Sequence, residues 1–485
     1  MAKTGARRFM EAPDERVRRV SEGSRTPSIA ALDVRVCHSG RVFTPLHQSP
    51  LFTRQAAVYD AMGMRAWSEG IVPWRATTCP LLADVEAALI SAFARDVSGP
   101  LTIIDVGAGT GRLAFHLLPK LEARGVDANL VLADVAPSNV RAWSQQPQLA
   151  ALAATGRLTF EVFDALAPRP RRGATVLLAH YLFDSLPHRA FRVTESGETS
   201  EGLVEVTQTP LAWSYAATGA RPELRGRGAG TFLVPVGAAA ALEAWRSALE
   251  GPVLVLAADK GVTPRGPSED PLLAQHESVS AGVDFGALAL LAEGWEHLKP
   301  ATASDVFALH AFTTARAPHL TNAWQLRGER NEVLHLLERF NGLLAAMPEA
   351  EALLGFLETT HDDPDLLAQL SPHLRELTLN DRDAGRLVSL LARAGERHFL
   401  FKQQLDVPFS LAITAHQLGA LQLAVALYGR SLAENGAHPS TLLNLALAQR
   451  TLGRTEDASA ALEVLLEAAP EHARARTLLA EWRKT

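Results

Sequence analysis

The stretch "IIDVGAGTGRLAF", residues 103–115, decides the fold. An apolar run ends at Asp105, Gly107, Gly109 and Gly111 follow at alternate positions, and Leu113, Phe115, Leu117 and Leu118 then lay an apolar stripe at helical spacing. Strand, glycine-rich turn and helix in this order let a backbone approach a nucleotide-like ligand closely. A dinucleotide-binding turn has its third glycine three positions after the second. Here that position is Arg112 and the third glycine is Gly111, so the spacing argues against a nicotinamide cofactor.

Working outward, continuous Val/Leu/Ile runs recur at "LTIIDVG" (101–107), "ANLVLADV" (128–135), "RLTFEVFDA" (157–165), "ATVLLAHYL" (174–182) and "GPVLVLAADKG" (251–261). Such runs mark parallel strands covered on both faces, and the amphipathic segments between them predict a doubly wound α/β sheet. Between 190 and 236 the pattern changes to polar/apolar alternation around "SGET", which predicts an inserted antiparallel hairpin or small β-cap above the carboxyl edge of the sheet. Residues 51–95 read as a helical lid.

After about residue 320 only helical patterns remain, broken at Pro348, Pro364 and Pro372. A repeat of period 34 then emerges: Leu411/Ala412 matches Leu445/Ala446, Leu418/Gly419 matches Leu452/Gly453, Ala424 matches Ala458, and Tyr428 matches Leu462. Period and pattern resemble the tetratricopeptide repeat. The expected organisation is an arm (1–50, partly disordered), a sheet domain (51–318, with the insertion), a helical connector (319–404) and repeats (405–485). Deleting the repeats is expected to leave the sheet domain intact.

Composition narrows the function. The net charge is −6 with 47% hydrophobic and 21% charged residues, which supports neither a nucleic-acid nor a membrane role. Two cysteines, Cys37 and Cys79, exclude a disulfide scaffold and fit a reducing, cytoplasmic setting. The 16 histidines form no HExxH pattern, so no metal is expected. No apolar run is long enough to span a bilayer, and the first 30 residues mix arginines with Glu11, Asp14, Glu15 and Glu22 and have no apolar signal core.

The D-x-G-x-G-x-G form at Asp105–Gly111 resembles that of class I S-adenosylmethionine-dependent methyltransferases. A cofactor carrying an ammonium and a sulfonium favours an acid beside the turn, where a pyrophosphate favours a helix N-terminus. The resemblance implies S-adenosylmethionine held by Asp105, Gly107, Gly109, Thr110 and Gly111. Asp134 at the end of the second strand would face the ribose, or cap the helix that follows. Asp164 after the third would meet the adenine, or be a solvated loop acid.

"AHYLFDSLPHRAF" (179–191) is similar to the N-E-x-x-D-A-L-P-x-x-x-F motif of the MidA-like methyltransferases, which include assembly factors of mitochondrial complex I. "LVLAADKG" (254–261) resembles that family's strand ending in D-Y-G, and "VSAGVDFGAL" (279–288) its T-A-H-V-D-F-x-x-L. "GIVPWRATTCPLLADVEAAL" (70–89) matches loosely. The family's Asn-Glu pair is His180-Tyr181 here, the Tyr of D-Y-G is Lys260, and the His of A-H-V-D-F is Gly282. Some members methylate arginine in a protein, and the missing glutamate weakens that expectation. The remaining catalytic candidates are Asp184, to orient a nucleophile or cap a helix, and His180, as base or hydrogen-bond donor; His188 and His276 are weaker ones. Three functions remain open: a protein methyltransferase whose repeats recruit the partner, a small-molecule methyltransferase with a scaffolding tail, and an inactive binding protein.

Overall fold

The computed structural model describes residues 41–483 except 208–209, 264, 276–277 and 347–348, together with the short strand Arg35–Val36. Most of the expected arm, Cys37, His276 and Pro348 lie outside the described residues.

Seven strands form the central sheet: β1 (Leu101–Val106), β2 (Ala128–Asp134), β3 (Leu158–Val162), β4 (Thr175–His180), β5 (Val253–Asp259), β6 (Glu296–Leu298) and β7 (Ala308–Thr313). Their order is β3-β2-β1-β4-β5-β7-β6. The first five are parallel, β7 runs antiparallel to β5, and β6 antiparallel to β7. The sequence reading found the five parallel strands and missed β6 and β7. β6 is only three residues long, and the "ALHAFT" of β7 carries a histidine and little β-branching. Strand order reverses between β1 and β4, which opens a crevice above their carboxyl ends.

The insertion is larger than a hairpin. Strands at 189–193, 199–205, 212–217 and 230–234 form an antiparallel sheet, and Val42–Pro45 joins it by pairing Thr44 with Val204 and Pro45 with Leu203. The end of the expected arm is therefore part of the cap. Short helices at 50–53, 55–62 and 65–68 follow as the lid.

Helix α1 (Pro80–Asp96) explains how the rest is arranged. Leu82, Val85, Glu86, Leu89, Ile90 and Phe93 are all buried, as are Leu81, Ala83, Ala87 and Ala92, so nearly its whole circumference is covered. A helix apolar all round lies inside a structure. One side of α1 meets the sheet and α2 (Arg112–Ala123). The helical region closes around the rest, and one apolar core runs from Ala76 through Phe340, Phe356, Leu370 and Leu391 to Leu411, Leu427, Tyr428 and Ala448. The boundaries expected at 318 and 405 therefore fall within a continuous core. A separate cluster begins only with Leu442, Leu462, Leu465 and Leu479.

The repeat helices are Val407–Gln417, Leu421–Asn435, Pro439–Thr451 and Thr455–Ala468, followed by Ala473–Trp482. Gly419 and Gly453 sit at equivalent helix ends with φ +73° and +76°, the left-handed turn that glycine makes cheaply.

Gly111 is the most constrained glycine of the nucleotide-type turn. Its φ is +76°, and a Cβ there would lie 2.7 Å from Leu149 and 2.9 Å from Leu132. Gly111→Ala is expected to cost about 1–3 kcal/mol from backbone strain alone, read as a shifted urea midpoint.

Candidate active site

A cavity of about 410 Å³ occupies the crevice. Its floor is Asp105, the glycine turn, Asp134 and His180; its roof is the lid, through Tyr59, Trp67 and Trp74. Phe52, Ser185, Leu186 and Pro187 line it toward the cap. Of the cofactor candidates read from the sequence, Asp105, Gly107, Gly109, Thr110, Asp134 and Asp164 line this cavity, and Gly111 closes the turn without lining it.

The turn is built for close approach. Gly107, Gly109 and Gly111 all have positive φ, and a Cβ on Gly109 would lie 3.0 Å from the Trp67 indole nitrogen. The Gly109 carbonyl accepts a hydrogen bond from Trp143 Nε1 at 2.8 Å, which pins the turn from below. Asp134 is buried; its Oδ1 accepts from Ala136 N at 2.9 Å and its Oδ2 from Asn139 Nδ2 at 3.0 Å. Asp134 therefore braces the turn into α3 (Pro137–Gln145), whose N-cap is Ala136, while lining the cavity. Asp164 is exposed, with Oδ1 accepting from Leu166 N at 2.9 Å.

The electrostatics are those of a cation site. Burial pushes the Asp105 carboxyl up to about 7; His180 pulls the other way, and Glu86 and Asp134 add to the rise. Burial likewise raises Asp134 above its ordinary value. His180 Nε2 lies 2.6 Å from Glu86 Oε1, with both side chains almost wholly buried. Burial works against the imidazolium, but Glu86 and Asp105 outweigh it and His180 holds its proton above the ordinary range. The His180 Nδ1 and the Tyr181 hydroxyl are buried with no hydrogen-bond partner among the described residues. An orphaned donor beside carboxylates that resist ionising, next to a turn with no room for side chains, fits a ligand carrying both an ammonium and a carboxylate. S-adenosylmethionine is such a ligand.

Asp184 is placed differently from the sequence expectation. It is not among the residues lining the cavity, and it pairs with Lys260 Nζ at 3.8 Å. Burial pushes it up to about 6, with Lys260 opposing. Its backbone N–H donates to Asp259 Oδ2 at 3.0 Å. Two of the departures from the MidA-like motifs, Tyr181 and Lys260, meet here, since Lys260 Nζ sits 5.3 Å from the Tyr181 ring centre. Tyr181 itself lines the cavity with a strained φ of +46°. His188 is fully buried and stacked on Phe52, with its pKa lowered to about 4 by burial.

Sequence reasoning missed Glu86, Tyr181 and the aromatic roof. Glu86 had one signal, an acid beside Asp84 inside the mostly apolar "LLADVEAALI".

Among known families, residues 81–277 match the model described as "Putative S-adenosyl-L-methionine-dependent methyltransferase", and residues 415–481 match a tetratricopeptide-repeat model. The first span contains both 179–191 and 254–261, two of the motifs that carry the MidA-like resemblance. A search of the curated proteins returns no match. Among solved structures, a superfamily member from Burkholderia thailandensis bound to S-adenosyl-homocysteine is 19% identical, covering 61% of this chain and 93% of its own, with a TM-score of 0.42. A native structure from the same organism and superfamily is 20% identical, covering 58% and 90%, with a TM-score of 0.41. A tetratricopeptide-repeat protein from Thermus thermophilus is 19% identical over 35% of this chain and 89% of its own, at a TM-score of 0.22. Among the described residues no helix is long and apolar enough to cross a membrane. The chain is an S-adenosyl-L-methionine-dependent methyltransferase that carries tetratricopeptide repeats in residues 415–481.

Proposed function

We propose that the protein methylates a side chain of a protein partner held on its helical repeats. The observation that carries this reading is the continuous core. The first repeat pair packs through Leu411, Leu427 and Tyr428 into the same core as the sheet, so a bound peptide is held at a fixed place relative to the cavity. Repeat arrays commonly present such extended binding surfaces.

In this reading Asp105, Gly107, Gly109, Thr110, Gly111, Asp134 and Asp164 hold the cofactor, which supplies the methyl group. The acceptor enters between the end of β4 and the cap. Methyl transfer is an in-line displacement whose barrier falls mainly through positioning and water exclusion. The lid aromatics Tyr59, Trp67 and Trp74 exclude water. Glu86 and Asp105 favour the protonated form of His180 against its burial, so in this reading it serves as a hydrogen-bond donor beside the acceptor. Asp184 supports Tyr181 through Lys260, one step back from the acceptor. The acceptor's own proton passes to solvent.

The test is incubation of the full chain with methyl-labelled S-adenosylmethionine and cell lysate. Label is expected in protein, and reduced when residues 438–485 are removed. Label confined to small molecules would favour the metabolite methyltransferase with a scaffolding tail.

A further inference from the structure

Arg112 stands where a dinucleotide turn would have glycine, and its side chain is the least expected feature of the site. It is the first residue of α2, directly after Gly111, and only 3% of it is exposed. Its guanidinium is paired with Asp365 and lies 4.0 Å from Asp363, both in the helical region at the start of α4 (Pro364–Glu376). The same guanidinium sits 5.3 Å from the Trp74 ring centre, and Trp74 is part of the cavity roof. The Arg112 backbone N–H donates to Thr110 Oγ1 at 3.3 Å, and Thr110 lines the floor. One residue thus meets the floor of the cavity through its backbone N–H and the roof through its guanidinium, and is gripped from a part of the chain about which the glycine motif says nothing.

We propose that Asp365 is a positioning residue for the cofactor: by gripping Arg112 it sets the glycine turn from the helical region and holds Trp74 in the cavity roof.

Three further observations favour positioning over a generic buried ion pair. First, Asp365 is itself fixed. It accepts from Gln403 Nε2 at 3.0 Å and lies 3.9 Å from Arg75 Nε, while its backbone N–H is capped by Asp363 Oδ1 at 2.9 Å. Burial opposes its charge, but Arg112 and Arg75 outweigh this and hold it down at about 2. Second, the segment carrying Gln403 runs over the lid as a strap. Phe401 meets Trp74 edge-on at 5.5 Å, and Gln404 Nε2 donates to the Glu69 carbonyl at 3.0 Å. Third, the strap also reaches the second helix after β2, Pro147–Ala154: Gln148 Nε2 donates to the His398 carbonyl at 2.9 Å, and Leu400 N donates to Gln148 Oε1 at 2.7 Å. The helical region therefore holds the turn, the lid and the β2 side of the cavity at once, and Asp365 is the charged centre of that grip.

The proposal rests on the cavity being the cofactor site. The experiment is calorimetric titration of S-adenosylhomocysteine into full-length wild type and Asp365→Asn, at a temperature where circular dichroism shows both folded. Asp365→Asn is expected to bind at least about ten-fold more weakly. Asp365→Glu, which restores the charge, should regain most of the affinity. Arg483→Gln, which removes an exposed ion pair with Glu463 at the far end of the helical region, should bind as wild type. Where Asp365→Asn does not fold, Arg112→Met/Asp365→Leu removes the paired charges together, and Asp363, which burial already pushes up to about 6, is left free to take a proton; this variant too should bind about ten-fold more weakly. Wild-type affinity in a folded Asp365→Asn or in the double variant would overturn the proposal alone. No binding by wild type would overturn the cofactor reading and this proposal with it.

Discussion

A chain ending at residue 404 is expected not to fold. The sequence pattern alone led to the opposite expectation, a separable tail, but the core does not stop there. Val407, Leu411, Leu427 and Tyr428 are all buried, in one cluster with Leu366, Leu370, Leu374 and Leu391. At about 1.5–3 kcal/mol for each large apolar side chain, their removal costs about 10 kcal/mol. That is the scale of a whole domain's stability. The cut also leaves His398 without Glu434, a buried partner 2.7 Å away. A chain ending at residue 437 keeps these contacts and loses mainly the separate cluster around Leu442, Leu462 and Leu465. It should stay soluble and bind S-adenosylhomocysteine. Size-exclusion chromatography and thermal melts of the two truncations decide the matter; a folded, cofactor-binding 1–404 chain would show that the shared core is not needed.

Asp105→Asn is expected to weaken S-adenosylmethionine binding about a hundred-fold, or ~3 kcal/mol, because it leaves a buried cation without its counter-charge. The pH dependence follows from the same carboxyl. In the empty site burial holds Asp105 at about 7, so below neutral pH it is largely protonated. Attraction for a cationic ligand requires the ionised form. Affinity should therefore fall as pH drops from 7 to 5.5, approaching ten-fold per unit, and Asp105→Asn should flatten this slope. The empty protein should show the opposite trend in this group's contribution to stability. The folded state keeps the proton that the unfolded chain releases near 4, so stability is lost as pH rises from about 4 to 7. Calorimetric titrations across this range measure the first effect, and denaturant midpoints the second. A flat affinity profile in wild type would remove Asp105 from the cation site.

The glycine turn was legible because it is a conformational constraint: positive φ at three alternating positions requires glycine wherever the rest of the chain goes. The five parallel strands were legible as apolar runs, and the repeats as self-similarity. What remained hidden depends on distant partners. Arg112 read only as a missing glycine, yet it is the anchor for Asp365, far along the chain. Glu86 drew no reading at all, and its burial appears only when β4 brings His180 against α1. The all-round burial of α1 was present in "PLLADVEAALISAF" as a near absence of polar positions, and it implies a second covering layer that periodicity alone does not identify. Asp184 was named from its motif, and the structure puts Tyr181 in the wall and Asp184 outside it.

The crevice between β1 and β4 is expected to bind S-adenosylmethionine. Calorimetric titration of the full chain near pH 8 with S-adenosylhomocysteine, and separately with NAD, tests it most directly. One S-adenosylhomocysteine per chain should bind, with Asp134→Ala weaker by about 1–3 kcal/mol for the loss of a charge-assisted contact, and NAD should give no heat of binding. Binding of NAD with none of S-adenosylhomocysteine would contradict the claim.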